Sequence, residues 1–109
     1  MRLSVIIPVC DEENSVRPLY SRLLAALQGL GADFEVLFVD DGSEDRTAAE
    51  IAALRTADPR VKLISLSRNF GHQIALSAGL DHADGDAVIS LDGDLQHPPE
   101  LIGELVGRW

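Results

Sequence analysis

The sequence predicts an α/β protein whose parallel sheet carries helices on its flanks. Short apolar runs alternate with amphipathic segments along the chain, and such alternation is typical of parallel strands joined by helical crossovers. With 109 residues and 46% hydrophobic side chains, the chain is long enough for one compact core and too short for two ordinary domains. We therefore predict a single domain over residues 1–109.

The first half of the chain predicts two strands and two helices. Residues 3–9 are almost continuously apolar, the pattern of a strand buried on both faces. Apolar side chains then recur at three- and four-residue steps over residues 16–27, which predicts an amphipathic helix. Residues 34–39 are apolar and β-rich and predict the second strand. The next helix is predicted over residues 45–56, with Ser43 or Asp45 as its cap.

The second half repeats the pattern. Residues 61–66 predict the third strand, and residues 73–83 predict a helix after a polar loop. Residues 87–91 form a short apolar run between turn residues, which predicts the fourth strand. A last helix is predicted to begin near Pro98.

Acid-rich loops follow three of the four predicted strands. They contain Asp11-Glu12, Asp40-Asp41 and Asp92-Gly93-Asp94. Acidic residues are also common in turns and before helices, so each cluster alone fits a solvated turn. The carboxyl ends of parallel strands meet at one edge of a sheet, where ligands bind. Their joint location therefore favours a binding site.

The turn after the fourth strand fits a cation. Asp92 and Asp94 stand one residue apart, Gly93 lets the backbone turn between them, and Gln96 adds an amide oxygen. Hard cations such as Mg²⁺ or Mn²⁺ take oxygen ligands and are often completed by substrate phosphates. The turn therefore suggests a metal site for a diphosphate ligand, with a solvated turn as the alternative.

Composition excludes several classes of protein. The net charge of −9 and the lack of a basic cluster argue against nucleic acid as a partner. Cys10 is the single cysteine, so no internal disulfide forms, and no Cys/His spacing resembles a zinc site. No Gly-x-x-x-x-Gly-Lys or Gly-x-Gly-x-x-Gly stretch occurs, which disfavours P-loop nucleotidases and dinucleotide-binding dehydrogenases. We also expect neither a signal peptide nor a membrane span in this segment.

These residues together resemble the inverting glycosyltransferases of family 2. Within that family the chain is most similar to the dolichol-phosphate mannose synthases and undecaprenyl-phosphate glycosyltransferases. The matching stretches run in the family's order through the whole chain: Ser-Val-Ile-Ile-Pro-Val-Cys-Asp-Glu-Glu-Asn (4 to 14), Val-Leu-Phe-Val-Asp-Asp-Gly-Ser (36 to 43), Ser-Arg-Asn-Phe-Gly-His (67 to 72) and Leu-Asp-Gly-Asp-Leu-Gln-His-Pro-Pro-Glu (91 to 100).

The resemblance implies a Rossmann-like GT-A fold of which this chain is the donor-binding half. It implies that Asp41, with Val39 behind it, accepts hydrogen bonds from the donor's base, and that Arg68 either lies near a phosphate or packs in its loop. It also implies a metal bound by Asp92, Asp94 and Gln96, with Asp94 the catalytic member. The full set of implied donor-binding residues is Pro8, Cys10, Glu12, Val39, Asp41, Asp92, Gly93 and Asp94.

The implied reaction is metal-dependent transfer of a hexose from a UDP- or GDP-linked sugar to a polyprenyl phosphate. The expected location is the cytoplasm or the cytoplasmic face of the membrane, reached through the lipid acceptor or further parts of the protein. Family members continue well past residue 109, so we expect the segment to be truncated and incomplete for catalysis. An exposed sheet edge would then predispose it to pair with itself or another chain.

Two features depart from the family or invite another interpretation. Cys10-Asp11 replaces the family's usual Tyr-Asn, which removes an aromatic surface for the base. A nucleophilic Cys10 would need a partner histidine that the sequence does not place. Two alternatives to the enzyme remain: a non-catalytic module that keeps the fold, and a receiver-like phosphoacceptor. The latter lacks an Asp in Ser65-Leu66-Ser67 and a later Lys.

Overall fold

The computed structural model describes residues 2–31 and 33–91 of the chain. Strands and helices alternate in it from beginning to end. Their bounds in chain order are β1 (Arg2–Val9), α1 (Val16–Leu30), β2 (Asp33–Asp40), α2 (Thr47–Ala57), β3 (Val61–Ser65), α3 (His72–His82) and β4 (Ala87–Ser90). The predicted alternation and all of the predicted elements before residue 91 are therefore confirmed.

The four strands form one parallel sheet in the order β3-β2-β1-β4. β1 is a central strand: Val5 pairs with Val36 of β2 on one side and with Ile89 of β4 on the other. The chain first winds outward from β1 to β3 and then returns to the far side of β1. The strand order thus reverses between β1 and β4, and open α/β sheets bind ligands beside such a switch point.

The two faces of the sheet are covered by different helices. Alternate residues of β1 point to opposite faces, so Val5 and Ile7 join a core with α1 and α2, and Ile6 packs with Ala75 of α3. These strand side chains are fully buried. Burial on both faces explains why β1 reads as a continuous apolar run rather than an alternating one.

The predicted start of α2 is wrong by two residues. Asp45 lies before the helix rather than at its first turn, and Arg46 occupies the N-cap position without a side-chain capping bond. The Asp45 Oδ1 accepts the N–H of Thr47 at 2.9 Å. This local bond competes with the helical conformation and delays the helix to Thr47. α1 extends past the predicted residues 16–27 to Leu30, and Gly31, with a φ of 67°, occupies its C-cap position.

Candidate functional site at the carboxyl edge of the sheet

Three loops gather at the carboxyl edge of the sheet. We call them the first loop (residues 10–15, after β1), the second loop (residues 41–46, after β2) and the third loop (residues 66–71, after β3). Two of the three predicted acidic clusters, Asp11-Glu12 and Asp40-Asp41, therefore lie on neighbouring strand ends. The third cluster follows β4, the strand on the other side of β1.

Reciprocal hydrogen bonds join the first and second loops. The N–H of Asp11 donates to Ser43 Oγ at 2.9 Å, and the N–H of Glu44 donates back to Asp11 Oδ1 at 2.8 Å. The N–H of Glu12 donates to Thr47 Oγ1 at 2.8 Å. Asp11 adopts a positive φ of 53°, a conformation that Asp and Asn tolerate better than most residues. The two loops thus form one preorganised wall.

Asp41 holds the third loop in place. Its Oδ1 accepts the N–H of Phe70 at 2.8 Å and its Oδ2 accepts the N–H of Gly71 at 3.1 Å. The Asp41 N–H donates to the carbonyl of Val9 at 2.8 Å, and the residue is 5% exposed. The predicted base-reading carboxylate therefore also orders the loop opposite the first loop. Each carboxylate oxygen retains a second acceptor position.

Cys10 lies half-buried between the first and third loops. Asn69 Nδ2 donates to its Sγ at 3.4 Å. Burial, followed by the nearby carboxylate of Asp11, raises the pKa of the Cys10 thiol. Since the thiolate is the reactive form, a raised pKa disfavours an activated thiol at this position.

The other predicted donor-binding residues divide into a buried pair and a loop residue. Pro8 and Val39 pair in register across β1 and β2, and both are buried. Val39 belongs to the buried cluster with Ile6 and Ala75 under α3. Glu12 is half-buried in the first loop, at the wall of the crevice.

Arg68 and the two described histidines, His72 and His82, lie in ordinary loop or helix-surface positions. The Arg68 guanidinium stacks over the ring of Phe70, 4.7 Å from its centroid, which matches the predicted loop-packing alternative. His82 is exposed on α3, and its Nδ1 lies 2.9 Å from the carbonyl of Ala78. His72 is the exposed first residue of α3.

The predicted metal ligands Asp92, Asp94 and Gln96, together with Gly93, lie outside the described residues. Within residues 2–31 and 33–91, no group of three or more His, Cys, Asp or Glu side chains is placed to hold a metal ion. Leu91 is the last described residue before the predicted ligands, and its N–H donates to the carbonyl of Ile6 at 3.0 Å. Leu91 therefore lies beside β1, at the edge that carries the first loop.

Sequence reasoning missed the residues that fasten the loops together. Thr47 is fully buried and accepts the Glu12 N–H, whereas the sequence shows it only as a helix residue. Ser43 and Asn69 join neighbouring loops in the same way. Their partners lie 32, 35 and 59 residues away in the chain, so no local pattern reveals them. The local sequence indicated these hydrogen bonds only through the polar residues at 43, 45 and 47, around the start of α2.

A cavity of about 550 Å³ lies elsewhere, along the outer side of β3. Its lining includes Arg55 of α2, Pro59 in the loop after it, Lys62 and Ile64 of β3, and His82 at the end of α3. None of the predicted site residues lines it. We therefore locate the candidate site from the loops and not from this cavity.

Comparison with known proteins identifies the family. The family described as "Glycosyl transferase family 2" matches residues 4–109. The chain belongs to this family. The resemblance inferred from the four sequence stretches is thus confirmed across almost the whole chain.

Relatives and solved structures agree with that assignment. An uncharacterized glycosyltransferase of Synechocystis is 47% identical over all 109 residues, which cover 34% of that protein. A bactoprenol glucosyl transferase of Shigella phage SfV is 44% identical over the whole chain and 36% of its own length. The glucosyl-3-phosphoglycerate synthase of Mycobacterium tuberculosis, solved with Mn²⁺ and UDP, has a TM-score of 0.75 and 26% identity over 96% of this chain and 38% of its own. The expected GT-A fold is confirmed.

The chain's length relative to its relatives, and the character of its helices, limit what family membership implies. The chain spans about a third of the length of the curated relatives that it matches. Among the helices of the described residues, none combines the length and the apolar character needed to cross a membrane.

Proposed function

We propose that this chain supplies the donor and metal site of an enzyme that transfers a hexose, with inversion, from a nucleotide sugar to a polyprenyl phosphate. One observation carries the proposal. The first and second loops form a hydrogen-bonded wall at the carboxyl edge, beside the strand that leads to Asp92-Gly93-Asp94. This is the crevice in which α/β sheets bind nucleotides.

The crevice is acidic, which restricts how it can receive a diphosphate. Its loops carry Asp11 and Glu44, which are exposed, Glu12, which is half-buried, and Asp41, which is buried. A diphosphate would be repelled there unless a cation lay between the two sets of negative charge. The carboxylate oxygens of Asp92 and Asp94 and the amide oxygen of Gln96 are suitable ligands for Mg²⁺ or Mn²⁺. When bound, such an ion would neutralise charge on the departing nucleoside diphosphate.

The protein's own residues have separate roles in this proposal. Cys10 and Glu12 line the pocket for base and ribose, over the buried support of Pro8 and Val39. Asp41 accepts hydrogen bonds from ring N–H donors of the base. The hydrogen bonds that fasten the loops hold these groups in place before the donor arrives, which lowers the entropy cost of binding.

The names of two relatives support the choice of acceptor. A bactoprenol glucosyl transferase is 44% identical to this chain, and an undecaprenyl-phosphate 4-deoxy-4-formamido-L-arabinose transferase is also 44% identical. We therefore propose a polyprenyl-phosphate acceptor, and separately we propose a location in the cytoplasm or at the cytoplasmic face of the membrane. Membrane contact would come through the lipid acceptor or through parts of the protein beyond this chain.

A second candidate is a non-catalytic module that keeps the fold and binds nucleotide without transfer. The two are separated by incubating the chain with radiolabelled UDP-glucose or GDP-mannose, Mn²⁺ and undecaprenyl phosphate in detergent. Label in the lipid fraction supports the enzyme. Nucleotide binding without lipid-linked label, at any enzyme concentration, favours the module.

A further inference from the structure

The opposite edge of the sheet buries a carboxylate that the proposed function does not use. Glu35 of β2 is 0% exposed. Its Oε2 accepts the hydroxyl of Ser4 at 2.6 Å and the N–H of Asp84 at 2.9 Å. Its Oε1 accepts Lys62 Nζ at 2.6 Å and lies 3.5 Å from Nη2 of Arg2. One side chain therefore ties β1, β2, β3 and the loop before β4 together.

Glu35 is ionised in this position. Burial alone would raise the pKa of the carboxyl, but the bonds from the Asp84 N–H, Lys62 and Ser4 outweigh it and lower the pKa to about 2. A buried ion of this kind is costly unless every partner is in place. The geometry of these partners is therefore tightly specified.

The loop before β4 is fitted closely onto β1. The N–H of Gly85 donates to Ser4 Oγ at 2.9 Å, and a Cβ at Gly85 would lie 2.5 Å from that oxygen. The N–H of Asp86 donates to the Arg2 carbonyl at 2.7 Å, and the Arg2 N–H donates to Asp86 Oδ2 at 2.8 Å. Arg2 Nε also donates to Asp84 Oδ1 at 2.8 Å. We call this set the amino-edge clamp; it comprises Arg2, Ser4, Glu35, Lys62 and Asp84–Asp86.

β4 has few other constraints on its position. It is only four residues long, and within the described part of the chain its strand partner is β1, from Leu3 opposite Ala87 to Ile6 opposite Ser90. A slip of two residues would keep the same side chains on each face and shift the strand by about 7 Å. Asp92 follows this strand directly after Leu91, so any slip would carry the metal turn with it.

We propose that the amino-edge clamp sets the register of β4 on β1 and thereby positions the Asp92–Asp94 turn at the other end of the strand. Glu35 is the centre of the clamp and a positioning residue. The effect on the metal turn rests on the proposed function, whereas the effect on β4 does not.

Amide hydrogen exchange of the full chain tests the effect on β4. Ser4→Ala removes the hydroxyl that bridges Glu35 and Gly85, and Gly85→Ala forces the loop away from Ser4. In both variants, exchange of residues 88–91 is expected to accelerate about tenfold, the scale of losing one buried hydrogen bond. Residues 36–39 of β2 should change by less than about twofold.

Tyr20→Phe is the matched control. It removes the hydrogen bond between the Tyr20 hydroxyl and Asp58, which joins α1 to the end of α2 and contacts neither β4 nor the clamp. It is expected to lower stability without selective exchange in residues 88–91. Equal acceleration in β2 and β4 of the clamp variants, or unchanged protection of β4 in Ser4→Ala and Glu35→Gln, would overturn the proposal.

Nucleotide titration tests the effect on the turn. Ser4→Ala and Glu35→Gln are expected to weaken Mn²⁺-dependent binding of UDP or GDP about 10- to 100-fold, the range seen for residues that orient metal ligands. Binding of uridine or guanosine without metal is the control: these nucleosides lack the diphosphate and depend on the first and second loops, so their affinity should be unchanged within about twofold. Unchanged Mn²⁺-dependent affinity would overturn the positioning role. A wild-type chain that binds neither nucleotide would count against the proposed function. Hydrogen exchange would still test whether the clamp sets the register of β4.

Discussion

Gly42→Ala probes the close approach of the second and third loops. Gly42 has a φ of +71°, and a Cβ there would lie 2.4 Å from the carbonyl carbon of Arg68 and from the amide nitrogen of Asn69. Ordinary contact between such atoms begins near 3.4 Å, so the loops would separate by roughly 1 Å. Asp41 bonds the third loop at 2.8 and 3.1 Å, and a separation of this size breaks both bonds. The wall of the crevice would then lose its support.

The expected loss in free energy of unfolding combines two costs. The left-handed backbone costs a non-glycine residue about 1–2 kcal/mol, and overpacking against backbone adds about 1–3 kcal/mol. Gly31→Ala is the control, since its φ of +67° is similar but nothing lies within 4 Å of the added Cβ. Urea denaturation should show a loss of about 1 kcal/mol for Gly31→Ala and about 3 kcal/mol for Gly42→Ala. Equal losses in the two variants would refute the close approach of the loops.

Three further predictions concern single groups. The pKa values of Glu35 and Asp58 are both lowered to about 2. Each ionised carboxylate therefore stabilises the fold at neutral pH by on the order of 2–3 kcal/mol, and this stabilisation is lost as the pH falls from about 5 towards 2. Midpoints of urea unfolding that stay constant over this pH range would contradict the prediction. Thr47→Val removes the acceptor of the half-buried Glu12 N–H and should cost about 1–3 kcal/mol of unfolding free energy by calorimetry; a loss below about 0.5 kcal/mol would count against the bond. Cys10 should react with a thiol-specific disulfide reagent at neutral pH more slowly than free cysteine, because its pKa is raised, and an equal or faster rate would argue for an activated thiol.

The strands and helices before residue 91, and the edge of the sheet that carries the loops, could be predicted from the sequence. β1 and β2 could be predicted because a strand that is buried on both faces has a continuous apolar sequence. Asp11 and Asp41 were located because acids directly after a strand mark its carboxyl end. The parallel pairing followed from alternation alone, whereas the order β3-β2-β1-β4 did not, since a local pattern says nothing about which strands are neighbours.

Interactions over long sequence distances explain most of what the sequence missed. Glu35 stands in an otherwise apolar strand, and its partners at residues 4, 62 and 84 meet it only after the sheet has formed. The bonds from Phe70 and Gly71 to Asp41 span about 30 residues, so the role of Asp41 in ordering a loop was invisible beforehand. The start of α2 was wrong for the opposite reason, because a two-residue bond from Thr47 to Asp45 overrode the helical pattern.

Calorimetric titration shows whether this chain holds the proposed metal-dependent nucleotide site. UDP and GDP are each titrated into the chain with and without Mn²⁺, and the titration is repeated on the double variant Asp92→Asn, Asp94→Asn. We predict Mn²⁺-dependent binding of one nucleotide, which also identifies the base, and its loss in the double variant. Binding that is equal in the double variant, or no binding of either nucleotide by the wild-type chain with Mn²⁺, would contradict the proposal.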